Sequence, residues 1–231
     1  MDEHYYTKES SYFKHIRKDI ISQIPNKKYN KILEIGAGSG DSLIYIKSKF
    51  NIEYLVGIEL CEIPDSNQKN STIDKFIIGN IETYDNAEFN NTFDIIICGD
   101  VLEHLIDPWQ VMKKIYQWLS PGGVFILSIP NIREIKTMYK ILIKGDFKYE
   151  NDGILDKTHL RFFCKKNIVE LITSAQLSVK KLTSTNFYEG APLTLKVIIN
   201  KLTMSLFKDI FITQYIIIAE KTDIVENSVN L

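Results

Sequence analysis

A parallel α/β sheet with helices on both faces is the architecture this sequence predicts, on three observations. Short apolar runs of strand length recur at residues 31–35, 54–60, 75–78, 93–98 and 124–129, with helical periodicity between several of them. The first run ends in a glycine turn, Gly36-Ala-Gly-Ser-Gly40, that leads into a helical stretch at 42–50. The second ends in a carboxylate, Glu59, nineteen residues beyond Gly40. Apolar strands joined by helices mark parallel sheets buried on both sides, because a crossover must return the chain before the next strand can pair.

The remaining elements follow in order. Tyr12, Phe13, Ile16, Ile20 and Ile24 recur at helical spacing, which predicts a helix over 9–24 closed by Pro25. A helix over 108–119 is stopped by Ser120-Pro-Gly-Gly123. After Pro130 the rhythm changes: 132–144 is amphipathic, 145–163 is polar, aromatic and aperiodic, and 168–175 is helical. Two strand candidates follow, 177–182 and 215–220, with an apolar helix around 193–207 between them. No repeat or flexible linker divides the chain, so one domain with an elaborated region at 132–176 is expected.

Composition narrows the function classes. The 28 basic and 29 acidic residues leave a net charge of −1, which argues against affinity driven by nucleic-acid phosphates. Only three residues are Arg (Arg17, Arg133 and Arg161) and four are His, so any that fall in a motif stand out. Three cysteines at wide spacing, with no CxxC pair, form neither a disulfide framework nor a zinc site. Residues 1–8 are polar rather than signal-like, and the apolar stretch at 210–219 is short of the ~20 residues of a membrane span. A soluble, cytoplasmic chain without a transmembrane segment is expected.

The glycine turn carries the chemistry. Its spacing is G-x-G-x-G, because the third glycine of the dinucleotide fingerprint would fall on Asp41. Glycines there let backbone amides approach a ligand, and the helix that follows points its N-terminus at the site. Glu59 can accept two hydrogen bonds from a ribose diol, each about 1.5–3 kcal/mol for a charged acceptor. A turn that binds nothing is the plain alternative. Three more stretches in order weigh against it: Gly79-Asn-Ile-Glu82, Cys98-Gly-Asp-Val-Leu-Glu-His-Leu105 and Leu119-Ser-Pro-Gly-Gly-Val124.

Together, Glu34-Ile-Gly-Ala-Gly-Ser-Gly40, Glu59, Gly79-Asn-Ile-Glu82 and Asp100-Val-Leu-Glu-His104 resemble the class I S-adenosylmethionine-dependent methyltransferases, closely over 30–131 and loosely to about 220. The resemblance implies a Rossmann-like seven-stranded mixed sheet, its last strand antiparallel, with the cofactor across the carboxyl ends of the first strands. It implies an N-terminal helix and lid at 1–26, a cofactor-binding core at 27–131, an acceptor-binding cap at 132–176, and closing strands and helix at 177–231. S-adenosylmethionine is the expected cofactor and S-adenosylhomocysteine the product. By the same resemblance Gly36 and Gly38 back the methionine moiety, Glu59 holds the ribose, and Asn80 with Ile81 holds the adenine. Gly99 and Asp100 lie near the transferring methyl, and Glu34, Ala37, Gly40 and Leu60 complete the cofactor-binding set. The family more often has Asp at the position of Asn80, but an amide oxygen still accepts from the adenine amine.

Methyl transfer from a sulfonium is an in-line displacement that needs alignment, and a hydroxyl acceptor also needs its proton removed. His104, just past the fourth strand where related enzymes place an active-site residue, is the expected base with a pKa near neutrality; packing the turn before Asp107-Pro108 is the alternative. A second reading takes Asp100, Glu103 and His104 as a D-x-x-E-H set, similar to an E-x-x-E-H by which some methyltransferases bind a divalent metal, with His159 as a further ligand. The main reading assigns no metal.

The run Leu-Asp-Lys-Thr-His-Leu-Arg-Phe-Phe163 looks like a subgroup found with surface-polysaccharide and glycan biosynthesis. That implies contacts from His159 and Arg161 to a polar, sugar-like or phosphorylated acceptor, walled by Tyr149, Phe162 and Phe163; a structural tie through Thr158 and Arg161 competes equally. The expected function is O-methylation of a small-molecule or glycan-precursor acceptor, with N-methylation of an amine and a non-catalytic cofactor-binding module as rivals. A nucleic-acid acceptor is further disfavoured because Ser128-Ile-Pro-Asn131 is not an Asn-Pro-Pro-aromatic base clamp. The N-terminal helix, with Tyr5, Tyr6 and Tyr12 around it, is expected to cover the cofactor as a partial lid, with plain packing as the alternative. The helix near 193–207 is expected to cover the last strand, with a homodimer or a membrane surface as alternatives.

Overall fold

Alternation inside the apolar runs decides where each strand buries its two faces. A computed structural model describes residues 8, 13–184 and 208–222. Seven strands form one sheet: β1 (Lys31–Ile35), β2 (Tyr54–Glu59), β3 (Lys75–Ile78), β4 (Phe93–Gly99), β5 (Leu119–Pro130), β6 (Leu177–Ser184) and β7 (Gln214–Lys221). Their order is β3-β2-β1-β4-β5-β7-β6, with β7 antiparallel to both neighbours and the other pairs parallel. The seven-stranded mixed sheet with its last strand antiparallel is therefore present.

One face carries Leu33, Val56, Ile58, Ile96 and Phe125 under α3 (Pro108–Trp118) and α5 (Lys165–Ser174). The other carries Ile32, Leu55, Ile95, Ile97 and Ile126 under α1 (Lys18–Ile21) and α2 (Asp41–Lys49). Trp118, fully buried, meets Phe89 edge-on at 5.4 Å between ring centroids. The even and odd positions of β1 and β2 thus fill separate cores, and Glu34 and Glu59 fall on the α1/α2 side at the strands' carboxyl ends.

Several boundaries differ from the sequence reading. The helix expected over 9–24 is interrupted: among the described residues Phe13 and Lys18–Ile21 are helical, but residues 14–17 are not. Backbone groups that would serve the helix are used elsewhere, since Phe13 O accepts from Ser39 N and Oγ and Arg17 N donates to Ser42 Oγ. Ser120-Pro-Gly-Gly123 does not merely end a helix but belongs to the irregular start of β5, where Phe93 pairs with Leu119 and Ile95 with Val124. The helix expected at 132–144 narrows to α4 (Ile135–Leu142), because the Glu134 side chain accepts from Thr137 N and sets its start. The expected helix near 193–207 and Tyr5, Tyr6 and Tyr12 lie outside the described residues. Among the described residues no helix is long and apolar enough to cross a membrane.

Candidate active site

The carboxyl ends of β1, β2 and β4 open onto three adjoining cavities, where ligands of open parallel sheets bind. The largest, about 690 Å³, is lined by Glu34, Gly36, Ala37, Gly38, Glu59, Gly99 and Asp100, with Arg17, Ser42 and Gln214 across from them. A second, about 50 Å³, lies between Leu60, Asn80, Ile81 and His104. A third, about 270 Å³, is bordered by Asp100, Glu103, His104, Asp156, His159 and Gln214. Asp100 borders all three.

The glycine turn shapes the first cavity by leaving side chains out. Gly36 sits at φ +74°, and a Cβ there would lie 2.3 Å from Val101 Cγ2. Gly38 sits at φ +53°, and its Cβ would lie 2.7 Å from the Phe13 carbonyl oxygen. Both positions therefore demand glycine for conformation and for space. The Glu59 carboxylate accepts from Gly38 N at 2.8 Å and Leu60 N at 2.6 Å, which ties the turn to the end of β2.

Glu34 is buried, and its Oε2 has no hydrogen-bond partner among the described residues. Burial pushes its carboxyl up to about 8, against the pull of Arg17 and with a further push from Glu59, so it is mostly protonated at neutral pH. Asn80 Oδ1 accepts from Glu82 N at 2.9 Å, which aligns the Gly79–Glu82 loop under the second cavity. Gly40 plays a different part: at φ +84° it is the N-cap of α2, packed on Ile73 and Asn67, and it lines none of the three cavities.

Arg17 is the residue that the sequence reading left without a role. Its guanidinium pairs with Asp100 and with Asp19, and reaches Ser128 Oγ at 3.1 Å. Asp100 in turn accepts from Ser128 Oγ at 2.8 Å and from the Gln214 amide. It also holds a left-handed backbone, φ +54°, a conformation that costs a non-glycine residue energy and clusters at functional sites. The signal for Arg17 was its scarcity, one of three Arg. Helical periodicity over 9–24 hid it, because the same periodicity made the segment look like plain packing.

The third cavity is built by segments far apart in sequence. A short 3-10 turn, Leu102–His104, meets the 150–163 region through backbone bonds: Leu160 N and Arg161 N both donate to Glu103 O, at 2.8 and 2.9 Å. His104 Nδ1 lies 3.0 Å from Thr158 O and His159 Nδ1 lies 2.9 Å from Ile154 O. A carbonyl only accepts, so each Nδ1 carries the proton and each Nε2 is the basic nitrogen. The two rings stand 4.7 Å apart, edge to face.

The expectation of a near-neutral pKa for His104 does not hold. Burial, with the facing His159, pushes it down to about 4, and burial likewise lowers His159. Both imidazoles are uncharged at neutral pH. Burial and Asp100 drive the Glu103 carboxyl well above its ordinary range.

Of the three expected acceptor contacts, only His159 borders a cavity of this site. Arg161 donates to the Ile106 carbonyl and stacks over Trp109 at 5.9 Å, which ties the cap to the turn before α3. Tyr149 stands half exposed in an aromatic cluster with Phe147 and Phe162. Neither lines the three cavities.

The pocket fits a cofactor that carries a nucleoside and a charged amino-acid end: a backbone turn with no room for a Cβ at Gly36 or Gly38, a Glu34 oxygen without a partner among the described residues, and paired charges at Arg17 and Asp100. Comparison with known proteins agrees. A family model described as a methyltransferase domain matches residues 9–182. A phosphoethanolamine N-methyltransferase of Plasmodium falciparum is 29% identical over 115 residues, 48% of this chain and 43% of that protein, so the chain spans less than half the length of that relative. A ubiquinone biosynthesis O-methyltransferase of Rickettsia typhi is 26% identical over 180 residues, 73% of this chain and 70% of that protein.

Among solved structures, an S-adenosylmethionine-dependent methyltransferase from Archaeoglobus fulgidus superposes with a TM-score of 0.65 at 16% identity, covering 95% of this chain and 97% of that one. A Haemonchus contortus phosphoethanolamine N-methyltransferase 2 in complex with S-adenosylmethionine has a TM-score of 0.59 at 14% identity, over 89% of this chain and 52% of that one. The chain belongs to the methyltransferase domain family and has the fold of the S-adenosylmethionine-dependent methyltransferases on which it superposes.

Proposed function

We propose that this enzyme is an O-methyltransferase of the cytoplasm that methylates a hydroxyl of a small or sugar-containing acceptor such as a nucleotide sugar or glycan precursor. The observation that carries the reading is the position of His104. It borders both the small cavity beside Asn80 and the cavity beside His159, with its proton held on Nδ1 by Thr158. Bound S-adenosylmethionine supplies an electrophilic methyl group on sulfur. Gly36, Ala37, Gly38, Gly99 and Asp100 hold its methionine end, with Arg17 facing the carboxylate. Glu59 and Leu60 hold the ribose, and Asn80 and Ile81 the adenine. Nε2 of His104 takes the hydroxyl proton as the oxygen attacks, and His159 orients the acceptor. The acceptor class rests on the run that ends at Phe163, which resembles methyltransferases of glycan biosynthesis.

N-methylation is the second reading, favoured by the weak basicity of His104: an uncharged amine attacks without a base. Phosphoethanolamine N-methyltransferases among the similar proteins support it too. Transfer of labelled methyl from S-adenosylmethionine to a panel of nucleotide sugars, glycan precursors and amines tests both. Wild type is expected to label a hydroxyl acceptor, and His104→Gln to lose about 10²–10⁴-fold in kcat with cofactor affinity kept. Labelling confined to amines, with His104→Gln still active, replaces the O-methyl reading. Cofactor binding without transfer to any acceptor overturns both.

A further inference from the structure

Helix α4 carries apolar side chains on two faces, and only one of them is covered. Its inner face buries Thr137 and the capping Glu134 and half-buries Met138 and Ile141. On the outer face Leu142 and Ile143 are each 70% exposed, and Tyr139 is exposed as well. Residues three and four apart share a helix face, so Tyr139, Leu142 and Ile143 form one outward apolar stripe. The loop after α4 adds Phe147 and Tyr149, both exposed and edge-on to each other at 5.8 Å. Lys140 pins that loop to the helix, pairing with Asp146 and Glu150 and donating to Lys148 O at 3.4 Å. Five of the nine exposed large apolar side chains among the described residues therefore fall within 139–149. Scattered singly such side chains are ordinary, but gathered they mark an interaction surface.

The charge beside the stripe says what covers it. Lys136, Lys140 and Lys144 follow one another at intervals of four along α4, and Lys148 lies in the loop. A basin of about 480 Å³ opens between Lys136, Lys140, Lys144, Tyr139 and Asp146, with Lys144 Nζ 5.7 Å from the centre of the Tyr139 ring. Of the acids on this stretch, Glu134 caps α4, and Asp146 and Glu150 both pair with Lys140. Lys144 and Lys148 have no acid within ion-pair distance among the described residues. Nucleic-acid phosphates would meet the lysines and leave Leu142 and Ile143 in water. A neutral apolar groove would do the opposite. A layer of phosphates over an apolar layer satisfies both.

We propose that the outer face of α4 and the loop at 145–149 dock on the surface of an anionic lipid bilayer. Leu142, Ile143 and Phe147 enter the boundary of the acyl region, Tyr139 and Tyr149 lie at the headgroups, and Lys136, Lys144 and Lys148 meet the phosphates. Each lysine near such a surface strengthens adsorption about fivefold. The helix lies on the membrane and does not cross it. Docking is independent of the acceptor reading. Because the same loop runs on to Asp152 and Gly153 at the border of the third cavity, docking holds that border close to the lipid.

Sedimentation of the untagged full chain with lipid vesicles tests the surface. Saturable binding is expected to vesicles of phosphatidylglycerol and phosphatidylcholine, weakened by salt, and at least about tenfold weaker to phosphatidylcholine alone. Lys136→Gln with Lys144→Gln is expected to cut binding about twenty-five-fold. Leu142→Ser with Ile143→Ser is expected to cut it at least about tenfold, and both pairs are expected to keep the Tm and S-adenosylmethionine binding of wild type. No binding to the mixed vesicles overturns the surface. So does binding that neither pair changes, which places the lipid contact elsewhere on the chain. A Tm lowered by the apolar pair without lipid shows that the chain covers this face itself, and overturns the proposal too. Binding to polyglutamate instead of vesicles assigns the face to an acidic protein, and a dimer that the apolar pair dissociates assigns it to a second copy; either result overturns the bilayer. Methyl transfer to a soluble acceptor keeps the two proposals apart. Vesicle binding without transfer to any acceptor keeps the surface and removes the O-methyl reading, and transfer without vesicle binding does the reverse.

Discussion

The two sides of the active-site cleft are built by opposite means. The cofactor side is a backbone device: glycines at the end of β1, a carboxylate at the end of β2, and a strap at residues 13–17 laid across them. Its charges are paired and face a wide cavity. The other side, where we propose the acceptor binds, is a side-chain device, in which a 3-10 turn and the 150–163 region are joined by hydrogen bonds around two uncharged imidazoles and a buried carboxyl. Backbone devices tolerate no added atom, whereas side-chain devices lose function one group at a time.

Gly36→Ala is the harshest way to break that comparison. The new methyl would lie 2.3 Å from Val101 Cγ2 on a left-handed backbone, so S-adenosylmethionine binding measured by calorimetry is expected to vanish. Retained binding would show that the turn does not back the cofactor. Next comes Arg17→Gln. Loss of one charge-assisted contact of about 1.5–3 kcal/mol weakens cofactor binding about ten- to a hundredfold. An unchanged Kd would reduce Arg17 to an internal partner of Asp19 and Asp100.

Arg161→Ala probes the acceptor side and separates tie from contact. Losing the stack on Trp109 and the bond to Ile106 O costs about 1 kcal/mol, or about 2–4 °C in Tm. Cofactor affinity is expected to hold, and so is acceptor KM. A raised acceptor KM would return Arg161 to substrate binding.

The last test is a pH slope from Glu34. Its folded pKa of about 8 stands above the ordinary 4.5, so the folded state holds a proton that the unfolded state releases. That contribution to stability is complete below about 4.5 and is lost as pH rises through about 8. Denaturant titrations of the cofactor-free protein are expected to show this decline, and Glu34→Gln to flatten it. Arg17 and Glu59 face the same carboxyl, so Arg17→Gln is expected to raise the Glu34 pKa further.

Most of the sheet was legible because burial writes itself into strands. β1 was placed at 31–35 by its apolar run, and the β6–β7 pair was placed to within two residues. The glycine turn was nearly as legible, since positive φ and close approach leave glycine as the one comfortable residue. Gly40 shows the limit of that reasoning: it needs a left-handed backbone for capping α2, which looks the same in sequence as cradling a ligand. Tyr149 and Arg161 were drawn to the acceptor by residue type, yet both face other partners.

Residue order alone was enough for the α/β class, because periodicity is a local property; the antiparallel closing strand and the cofactor came with the resemblance that the glycine turn and the loops after the strands carry. The protonation of His104 belonged to the fold. Its pKa of about 4 comes from burial and from His159, fifty-five residues away along the chain and 4.7 Å away between ring centroids. Arg17 reached the cleft in the same way: Ser39 Oγ donates to Phe13 O and Arg17 N donates to Ser42 Oγ, bonds that compete with a helix over 14–17. Electrostatic surroundings and competing tertiary hydrogen bonds depend on what folding brings together, and no window of sequence contains them.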